Sequence, residues 1–167
     1  DEGCGFSNNP FKTIARTFEM INATDSNPIT IHLAAGTYSP ESGESFPINM
    51  LSNVNIEGED EETTTLDAQQ TDRVITMHSC ENNTISDLTV TGGLAQGEYV
   101  YGGGMYLYHS NPTLTHVTIS NNTADGWAIE GGGMGIDYSD PILTNVTIAN
   151  NTAYIGGGMA MYGSEPI

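Results

Sequence analysis

The chain has 167 residues, a length typical of one domain, and it carries 21 Asp and Glu against 3 Lys and Arg, for a formal net charge of −18. This acidity excludes binding to a nucleic-acid backbone, which needs clustered basic side chains, and favours cations or basic surfaces as charged partners. The sequence also contains no apolar run long enough to cross a membrane as a helix.

The N-terminal 28 residues predict a loop followed by one amphipathic helix. Residues 1–9 are small and polar, and the segment FKTIARTFEMIN after Pro10 has a helical apolar period. One face of that helix carries Phe11, Ile14, Phe18 and Ile21. Asn9 is suited to cap the helix and Pro10 to occupy its first position. We expect this helix to cover the open end of a hydrophobic core.

Short strands with alternating apolar residues are predicted next, over residues 29–93. Their predicted bounds are 29–33, 47–50, 54–57, 64–67, 74–77 and 84–90. Residues 35–38 predict a loop, and the acidic run 57–62 (EGEDEE) predicts a solvated loop between strands.

The last third of the chain repeats itself. Residues 102–124 (GGGMYLYHSNPTLTHVTISNNTA) and 131–153 (GGGMGIDYSDPILTNVTIANNTA) align without a gap at a distance of 29 residues, and a third copy begins at Gly156. Self-similarity at such a period predicts a solenoid. A propeller would need blades of about 40 residues or more. An antiparallel sandwich also has short strands and turns, but near-identical successive strands disfavour it.

The period-two pattern inside each copy predicts how the coils stack. Equivalent strands should pair in parallel and in register, so that equivalent side chains form ladders through the solenoid. The predicted inward ladders are Leu88–Val117–Val146 and Val90–Ile119–Ile148, and the predicted outward ladder is Thr89–Thr118–Thr147. Asn-Pro, Asp-Pro and Asn-Asn pairs predict the corners, because Asn tolerates left-handed backbone and Pro presets its own φ.

The sequence therefore predicts an all-β chain folded as a right-handed, single-stranded parallel β-helix with one N-terminal capping α-helix. We expect one domain over residues 1–167. It comprises a loop and helix (1–28), irregular coils (29–93) and regular glycine-rich repeats (94–167).

Two parts of the chain resemble known families. The segments NPFKTIARTFEMI, ITIHLAAGTYS, FPINMLSNVNIEGED and TTTLDA resemble the module of unknown function that opens many secreted β-helix proteins of the pectate-lyase-like superfamily. The GGGM…NVTIxNNTA units resemble repeats of bacterial surface β-helix proteins, including polymorphic outer-membrane proteins and other adhesins. The resemblance implies the fold but leaves the activity open, since the superfamily holds lyases, hydrolases, adhesins and structural fibres. That module usually begins with a strand, so we expect the chain to start inside it.

Residues suited to catalysis are sparse in this chain. Superfamily lyases combine calcium-binding carboxylates with a basic residue, and Arg73 beside Asp72 is the candidate outside the helix. A glycoside hydrolase needs two carboxyl groups about 5–9 Å apart, for which Asp137 and Asp140 are the best pair. We predict no catalytic residue, and we assign Asp137 and Asp140 as candidate calcium ligands, with no other cofactor.

Aromatic side chains concentrate in the repeats and predict a surface for sugar rings or for a protein partner. The candidates are Tyr106, Tyr108, Trp127, Tyr138 and Tyr162. Covering of the coil corners would explain these residues equally well.

Two kinds of covalent modification are also suggested by the sequence. The candidate N-glycosylation sites are Asn22, Asn82, Asn121, Asn145 and Asn150, each followed by Thr two residues later. A ladder rich in Asn and Thr also generates such triplets by chance. Cys4 and Cys80 could form one disulfide.

These observations favour a non-catalytic, extracellular or cell-surface β-helix with a structural or adhesive role. The chain ends at residues 164–167, a corner that precedes a strand in the earlier copies, so we expect a longer chain or end-to-end self-association into a filament. The alternative is a carbohydrate-active or carbohydrate-binding pectate-lyase-like protein with a polysaccharide or cell-surface ligand. We predict neither a nucleic-acid partner nor a membrane span.

Overall fold

The computed structural model describes residues 3, 5–98, 100–127 and 131–167. Within them the chain winds into a solenoid of short parallel strands, with one α-helix, α1 (Ile14–Met20), and a 3-10 turn at Pro40–Ser42. The strands are β1 (Ile29–Leu33), β2 (Gly36–Tyr38), β3 (Ile48–Asn49), β4 (Val54–Gly58), β5 (Thr64–Asp67), β6 (Ile75–His78), β7 (Thr84–Thr91), β8 (Leu94–Gln96), β9 (Met105–Tyr108), β10 (Thr113–Ser120), β11 (Thr123–Asp125), β12 (Met134–Asp137), β13 (Ile142–Ala149), β14 (Thr152–Ala153) and β15 (Met159–Tyr162). The predicted parallel β-helix with a single α-helix is confirmed.

The strands form three parallel sheets that run along the solenoid. The largest has the order β1-β4-β7-β10-β13, with β5 paired to β7 and β2 paired to β5. A five-stranded sheet has the order β3-β6-β9-β12-β15, and a three-stranded sheet has the order β8-β11-β14. Each regular coil passes from the five-stranded sheet to the largest sheet and then to the three-stranded sheet.

The register of the largest sheet confirms the predicted ladders. Leu88 pairs with Val117, which pairs with Val146, and the second ladder, Val90–Ile119–Ile148, lies two residues further on. The side chains of Leu88 and Val117 are fully buried in the core. Period two in the sequence is sufficient for this result because a slip of one residue would expose every apolar side chain.

A bend in the middle of β7, β10 and β13 was not predicted from the sequence. Asp87, His116 and Asn145 have φ near 57°, 51° and 52°, and His116 and Asn145 are skipped in the pairing register of β10 and β13. The apolar alternation restarts after this residue, so each long strand lines two differently oriented walls of the core. The bend cannot be recognised from the sequence, because the residues on each side of it alternate as in an ordinary strand.

Buried polar ladders secure two corners of each coil. Asn122 is fully buried, and its Nδ2 donates to the Val90 carbonyl at 3.1 Å while its Oδ1 accepts from the Gly93 amide at 2.8 Å. At another corner the Ser110 amide donates to Ser139 Oγ at 2.9 Å, and the Ser139 amide donates to Ser164 Oγ at 3.0 Å. These bonds satisfy backbone groups that leave the sheets at the corners. The Asn-Asn corners were predicted, but the buried role of the second Asn was not.

The glycine triplets lie where the backbones of successive coils come closest. A Cβ atom on Gly103 would stand 2.3 Å from the Thr123 carbonyl oxygen and 2.7 Å from the Gly132 carbonyl oxygen. No side chain fits in this space, which explains why each copy opens with glycines rather than with larger residues.

The start of the predicted helix was wrong. α1 begins at Ile14, three residues after Phe11, and its N-cap is Thr13, whose Oγ1 accepts from the Arg16 amide at 3.2 Å. The buried Glu44 carboxylate accepts from the Ile14 amide at 2.6 Å and thereby fixes the helix to a distant loop. This contact spans 30 residues, so a local reading of Asn9 and Pro10 could not find it. The helix still packs on the core as expected, since Ile14 is one of the core residues.

Two predicted loops were also partly wrong. Residues 36–38 form β2, which pairs with β5, and Glu57 and Gly58 belong to β4. Both segments gain their strand conformation from pairing with a neighbouring coil, which overrides the turn propensity of their glycines. No helix in the described ranges is long and apolar enough to span a membrane.

Candidate functional site

The outer side of the five-stranded sheet carries a continuous row of aromatic side chains. We call this row the tyrosine face, and it consists of His78, Tyr101, Tyr106, Tyr108, His109, Tyr138 and Tyr162. In β9 the inward residues Met105 and Leu107 are fully buried in the core, so the alternate residues Tyr106 and Tyr108 point outward. Parallel in-register pairing then places the outward residues of β6, β12 and β15 beside them.

One end of the tyrosine face is a layered packing of Tyr101, Tyr106 and Arg73. The rings of Tyr101 and Tyr106 stack with centroids 4.9 Å apart, and the Arg73 guanidinium lies 5.1 Å from the centre of the Tyr106 ring. Arg73 Nε donates to the Gly102 carbonyl and Nη2 to the Tyr101 carbonyl, both at 2.6 Å. Burial lowers the pKa of the Arg73 guanidinium, while the nearby Asp72 carboxylate opposes that change. The guanidinium therefore fixes the loop before β9.

The other end of the face is more open. His109 stacks on Tyr138 with centroids 5.3 Å apart and an angle of 10° between the rings, and Tyr138 meets Tyr162 edge to face at 5.3 Å. Tyr138 is 50% exposed and Tyr162 is 53% exposed. A hydrogen bond with Tyr162 raises the pKa of the Tyr138 hydroxyl. This end presents flat aromatic surface to solvent.

Between the two ends lies the carboxylate of Asp137. The residue is only 7% exposed, and in the register of the sheet it pairs with Tyr108 on one side and Tyr162 on the other. Its Oδ2 lies 3.5 Å from the Tyr106 hydroxyl, whereas its Oδ1 is buried and has no hydrogen-bond partner in the described part of the chain. Burial and, after it, the charge of Asp137 raise the pKa of Tyr106 to about 12.

The second predicted calcium ligand, Asp140, lies at the following corner. It is exposed, and its Oδ1 accepts from the Glu165 amide at 2.6 Å. The described residues contain no group of three or more His, Cys, Asp or Glu side chains arranged to hold a metal ion. A calcium site at Asp137 and Asp140 stays a prediction.

The structure places four of the five predicted aromatic residues in the tyrosine face. The fifth, Trp127, is 85% exposed in the loop after β11 and makes no ring contact with the face among the described residues. The predicted aromatic surface omitted His78, Tyr101 and His109, and Arg73 was considered only as the basic residue of a lyase. Strand alternation in β6 could have indicated His78, but Tyr101 and Arg73 lie outside the strands.

The five predicted glycosylation sites are all exposed. Two of their amide groups are engaged, since Asn82 donates to Asn53 at 2.9 Å and Asn145 lies 2.9 Å from His116 Nε2. Glycosylation itself stays a prediction.

Cys80 is buried, and its Sγ donates to the Met50 carbonyl at 3.2 Å. Burial raises the pKa of this thiol. Cys4 lies outside the described residues, so its predicted pairing with Cys80 stays a prediction.

A larger groove lies at the opposite end of the chain. It encloses about 680 Å³ between the N-terminal segment and β1, and its lining includes Phe6, Phe11, Ile14 and Ile31. The lining also includes the polar residues His32, Glu57 and Glu59, but the described residues of the groove form no continuous row of aromatic rings such as that of the tyrosine face.

Comparisons with known proteins agree with this architecture. Residues 1–71 match the family model described as "Protein of unknown function (DUF1565)". A solved structure of a mutant pectin methylesterase in complex with a hexasaccharide aligns over 98% of this chain with a TM-score of 0.57 and 14% identity. The fold is that of the pectin methylesterases. A search of curated proteins found no match.

Two further solved structures show the same likeness. A pectin methylesterase in complex with a second hexasaccharide covers 98% of this chain with a TM-score of 0.52 and 15% identity. Pectin methylesterase PemA from Erwinia chrysanthemi covers 84% with a TM-score of 0.50 and 14% identity. The chain spans 59%, 59% and 47% of these three enzymes. At such identities the likeness extends to the parallel β-helix fold alone.

Proposed function

We propose that the tyrosine face binds an extended polysaccharide. The observation that carries this proposal is a continuous series of ring contacts, His78–Tyr108–His109–Tyr138–Tyr162, which extends from β6 to β15. At β12, whose outward residues are Gly135 and Asp137, the aromatic ring is that of Tyr138, directly after the strand. At the usual strand spacing the four strands from β6 to β15 span about 14 Å. Aromatic faces give large, rigid contact area, and the apolar faces of sugar rings stack on them. A row along the solenoid axis suits a polymer better than a compact small molecule.

The similar solved structures support the ligand class without establishing it. Two of them are pectin methylesterases in complex with hexasaccharides. Since the likeness is confined to the fold, the transfer of a sugar ligand to this chain is our proposal, and the esterase activity is not transferred.

The test is isothermal titration calorimetry of the 167-residue chain with a panel of hexasaccharides, both neutral and acidic. We expect at least one member of the panel to bind. Replacing the exposed rings in a Tyr138→Ala/Tyr162→Ala variant should weaken binding about tenfold, since two aromatic contacts contribute about 0.5–1.5 kcal/mol each. Phe6→Ala removes an exposed aromatic ring close to the helical lid and serves as the matched control, with unchanged affinity. Equal affinity of the double variant and the wild type would overturn the proposal.

A structural or adhesive rod, which the sequence favoured, is the second candidate. The coil formed by β13 and β15 supports it, because Ile142, Met161 and the inward Ile148 are partly or largely exposed there. We propose that a second copy of the chain packs on this end. Electron microscopy and light scattering would show filaments or multimers if copies stack, and particles with the mass of one chain at high concentration would contradict stacking.

We also propose an extracellular location. The exposed sequons and the sugar ligand proposed above agree with it. Intact-mass and glycopeptide analysis of native material would support secretion through attached glycans, or through recovery of the chain from the medium. Recovery solely from the cell interior would contradict it.

A further inference from the structure

We infer that Asp137 makes the tyrosine face selective for an uncharged, hydroxyl-bearing sugar residue, and that it does so by accepting a hydrogen bond from a sugar hydroxyl. This inference rests on the proposed polysaccharide binding and adds the class of sugar that is bound.

The first step in the argument is the incomplete hydrogen bonding of the Asp137 carboxylate. Oδ1 is buried without a partner among the described residues, and Oδ2 has only the Tyr106 hydroxyl at 3.5 Å. That distance is beyond the normal range for an O–H···O bond, which is about 2.5–3.0 Å. Buried carboxylate oxygens usually accept one or more hydrogen bonds, because removing them from water without a donor is unfavourable. The site therefore lacks a donor, and a polyol can supply one.

The second step is the charge around Asp137. Arg73 is the basic residue of the site, but its Nε and Nη2 are engaged by the Gly102 and Tyr101 carbonyls, and Nη1 lies 3.4 Å from Thr76 Oγ1. A ligand carboxylate beside Asp137 would meet a like charge without a free guanidinium edge to balance it. A neutral hydroxyl meets no such repulsion.

The third step is access to the carboxylate. Tyr162 pairs with Asp137 on the edge strand β15, and its ring is half exposed. Tyr138 is also half exposed, so a sugar ring can stack on Tyr138 and Tyr162 from the solvent side with both tyrosines as contacts. Because Asp137 is the register partner of Tyr162, a hydroxyl of that sugar can reach the carboxylate and donate to it after a rotation of the Asp137 side chain.

The experiment compares hexamers that differ only in charge. Mannohexaose and hexamannuronate, both β-1,4-linked, share ring stereochemistry and differ by a hydroxymethyl or a carboxylate group, and cellohexaose with β-1,4-hexaglucuronate forms a second such pair. We expect the wild type to bind the neutral member of at least one pair at least tenfold more tightly. Asp137→Asn should reduce that preference to threefold or less, by weakening neutral binding and strengthening uronate binding.

A second variant separates the role of Asp137 from a general charge effect. Asp140→Asn removes the same formal charge at the next corner, and we expect it to keep the wild-type preference. The Tyr106 titration reports whether Asp137→Asn is folded, since its hydroxyl should still titrate above the ordinary value through burial.

The possible outcomes distinguish the two proposals. If no hexamer of either the pairs or the wider panel binds, polysaccharide binding and this inference both fail. If hexamers of the panel or the pairs bind but the wild type shows no tenfold preference for the neutral member of either pair, or Asp137→Asn keeps that preference, only this inference fails. A preference for uronates that appears on adding calcium and is lost in Asp137→Asn would also overturn it, because Asp137 would then bind a cation.

Discussion

The two complete copies of the repeat agree on their inward side and differ on their outward side. In the five-stranded sheet the inward positions of both copies are buried apolar side chains, Met105 and Leu107 in the first and Met134 and Ile136 in the second. Outward, Tyr106 of the first copy pairs with Gly135 of the second. Tyr108 pairs with Asp137. The core restricts the inward positions to apolar side chains in both copies, whereas the outward positions differ in residue type and carry the candidate site.

The copies also differ in how deeply equivalent side chains of one inward ladder are buried. Ile119 in β10 has a strand on each side and is fully buried, whereas its partner Ile148 in β13 is partly exposed. Identical sequence positions therefore contribute differently to stability, and substitutions at matched positions of the two copies can measure that difference.

The largest effect is expected from truncating the core ladder. Ile119→Ala should lower the free energy of unfolding by about 3–4 kcal/mol, because it removes buried surface and leaves a cavity. Ile148→Ala should cost about 1–2 kcal/mol, since its side chain is already partly in water. Urea denaturation of both variants measures the two values, and equal losses would contradict the difference between the copies.

The asparagine ladder should show the same difference between the two copies, with smaller losses in the free energy of unfolding. Asn122→Ala leaves the Gly93 amide and the Val90 carbonyl without their partner, which should cost about 2–3 kcal/mol. Asn151→Ala, at the matched position of the second copy, removes the equivalent bonds to the Ile119 carbonyl and the Asn122 amide. It should cost only about 1 kcal/mol, because these bonds are partly buried and water can replace them. Thermal or urea unfolding checks the order, and a greater loss for Asn151→Ala would show that the last coil is covered in solution.

The outward difference between the copies can be tested at Gly135. A Cβ atom there would stand 2.6 Å from the Gly102 nitrogen and 2.8 Å from the Tyr101 carbonyl carbon, so Gly135→Ala should displace that loop. We expect a loss of about 1–2 kcal/mol and a changed near-ultraviolet circular dichroism signal from the stacked tyrosines.

Ala160, at the equivalent position of the third copy, provides the control. Ala160→Gly should cost less than about 1 kcal/mol and leave the tyrosine signal intact. An unchanged signal in Gly135→Ala would show that Gly135 does not position Tyr101.

The smallest effect concerns the ionisation of Tyr106. Its pKa is raised to about 12 by burial and by Asp137, whereas the unfolded chain should titrate near 10. The neutral hydroxyl is favoured in the folded state, so this contribution to stability is complete below pH 10 and is lost as the pH rises from 10 to 12. Ultraviolet titration at alkaline pH should show a component that titrates near pH 12 and disappears in Tyr106→Phe. An unchanged late component would assign it to another tyrosine.

Part of the candidate site could be predicted from the repeats. Tyr106, Tyr108, Tyr138 and Tyr162 were found because aromatic residues concentrate in the repeats. The place of Arg73 and Tyr101 in this face could not be predicted in this way, since both reach it from loops and are held there by contacts with each other and with Tyr106. The same reason explains the missed role of Glu44, which fixes α1 from 30 residues away.

The sequence by itself determined the solenoid, its parallel register and its inward ladders. Period-two alternation and a repeat of 29 residues leave one way to bury the apolar side chains of every coil. The tertiary structure alone decided where α1 begins, where the long strands bend at Asp87, His116 and Asn145, and that Asp137 lies buried among tyrosines with one oxygen lacking a partner. These features depend on contacts between distant residues and on backbone at corners, where neither periodicity nor local propensity specifies the geometry.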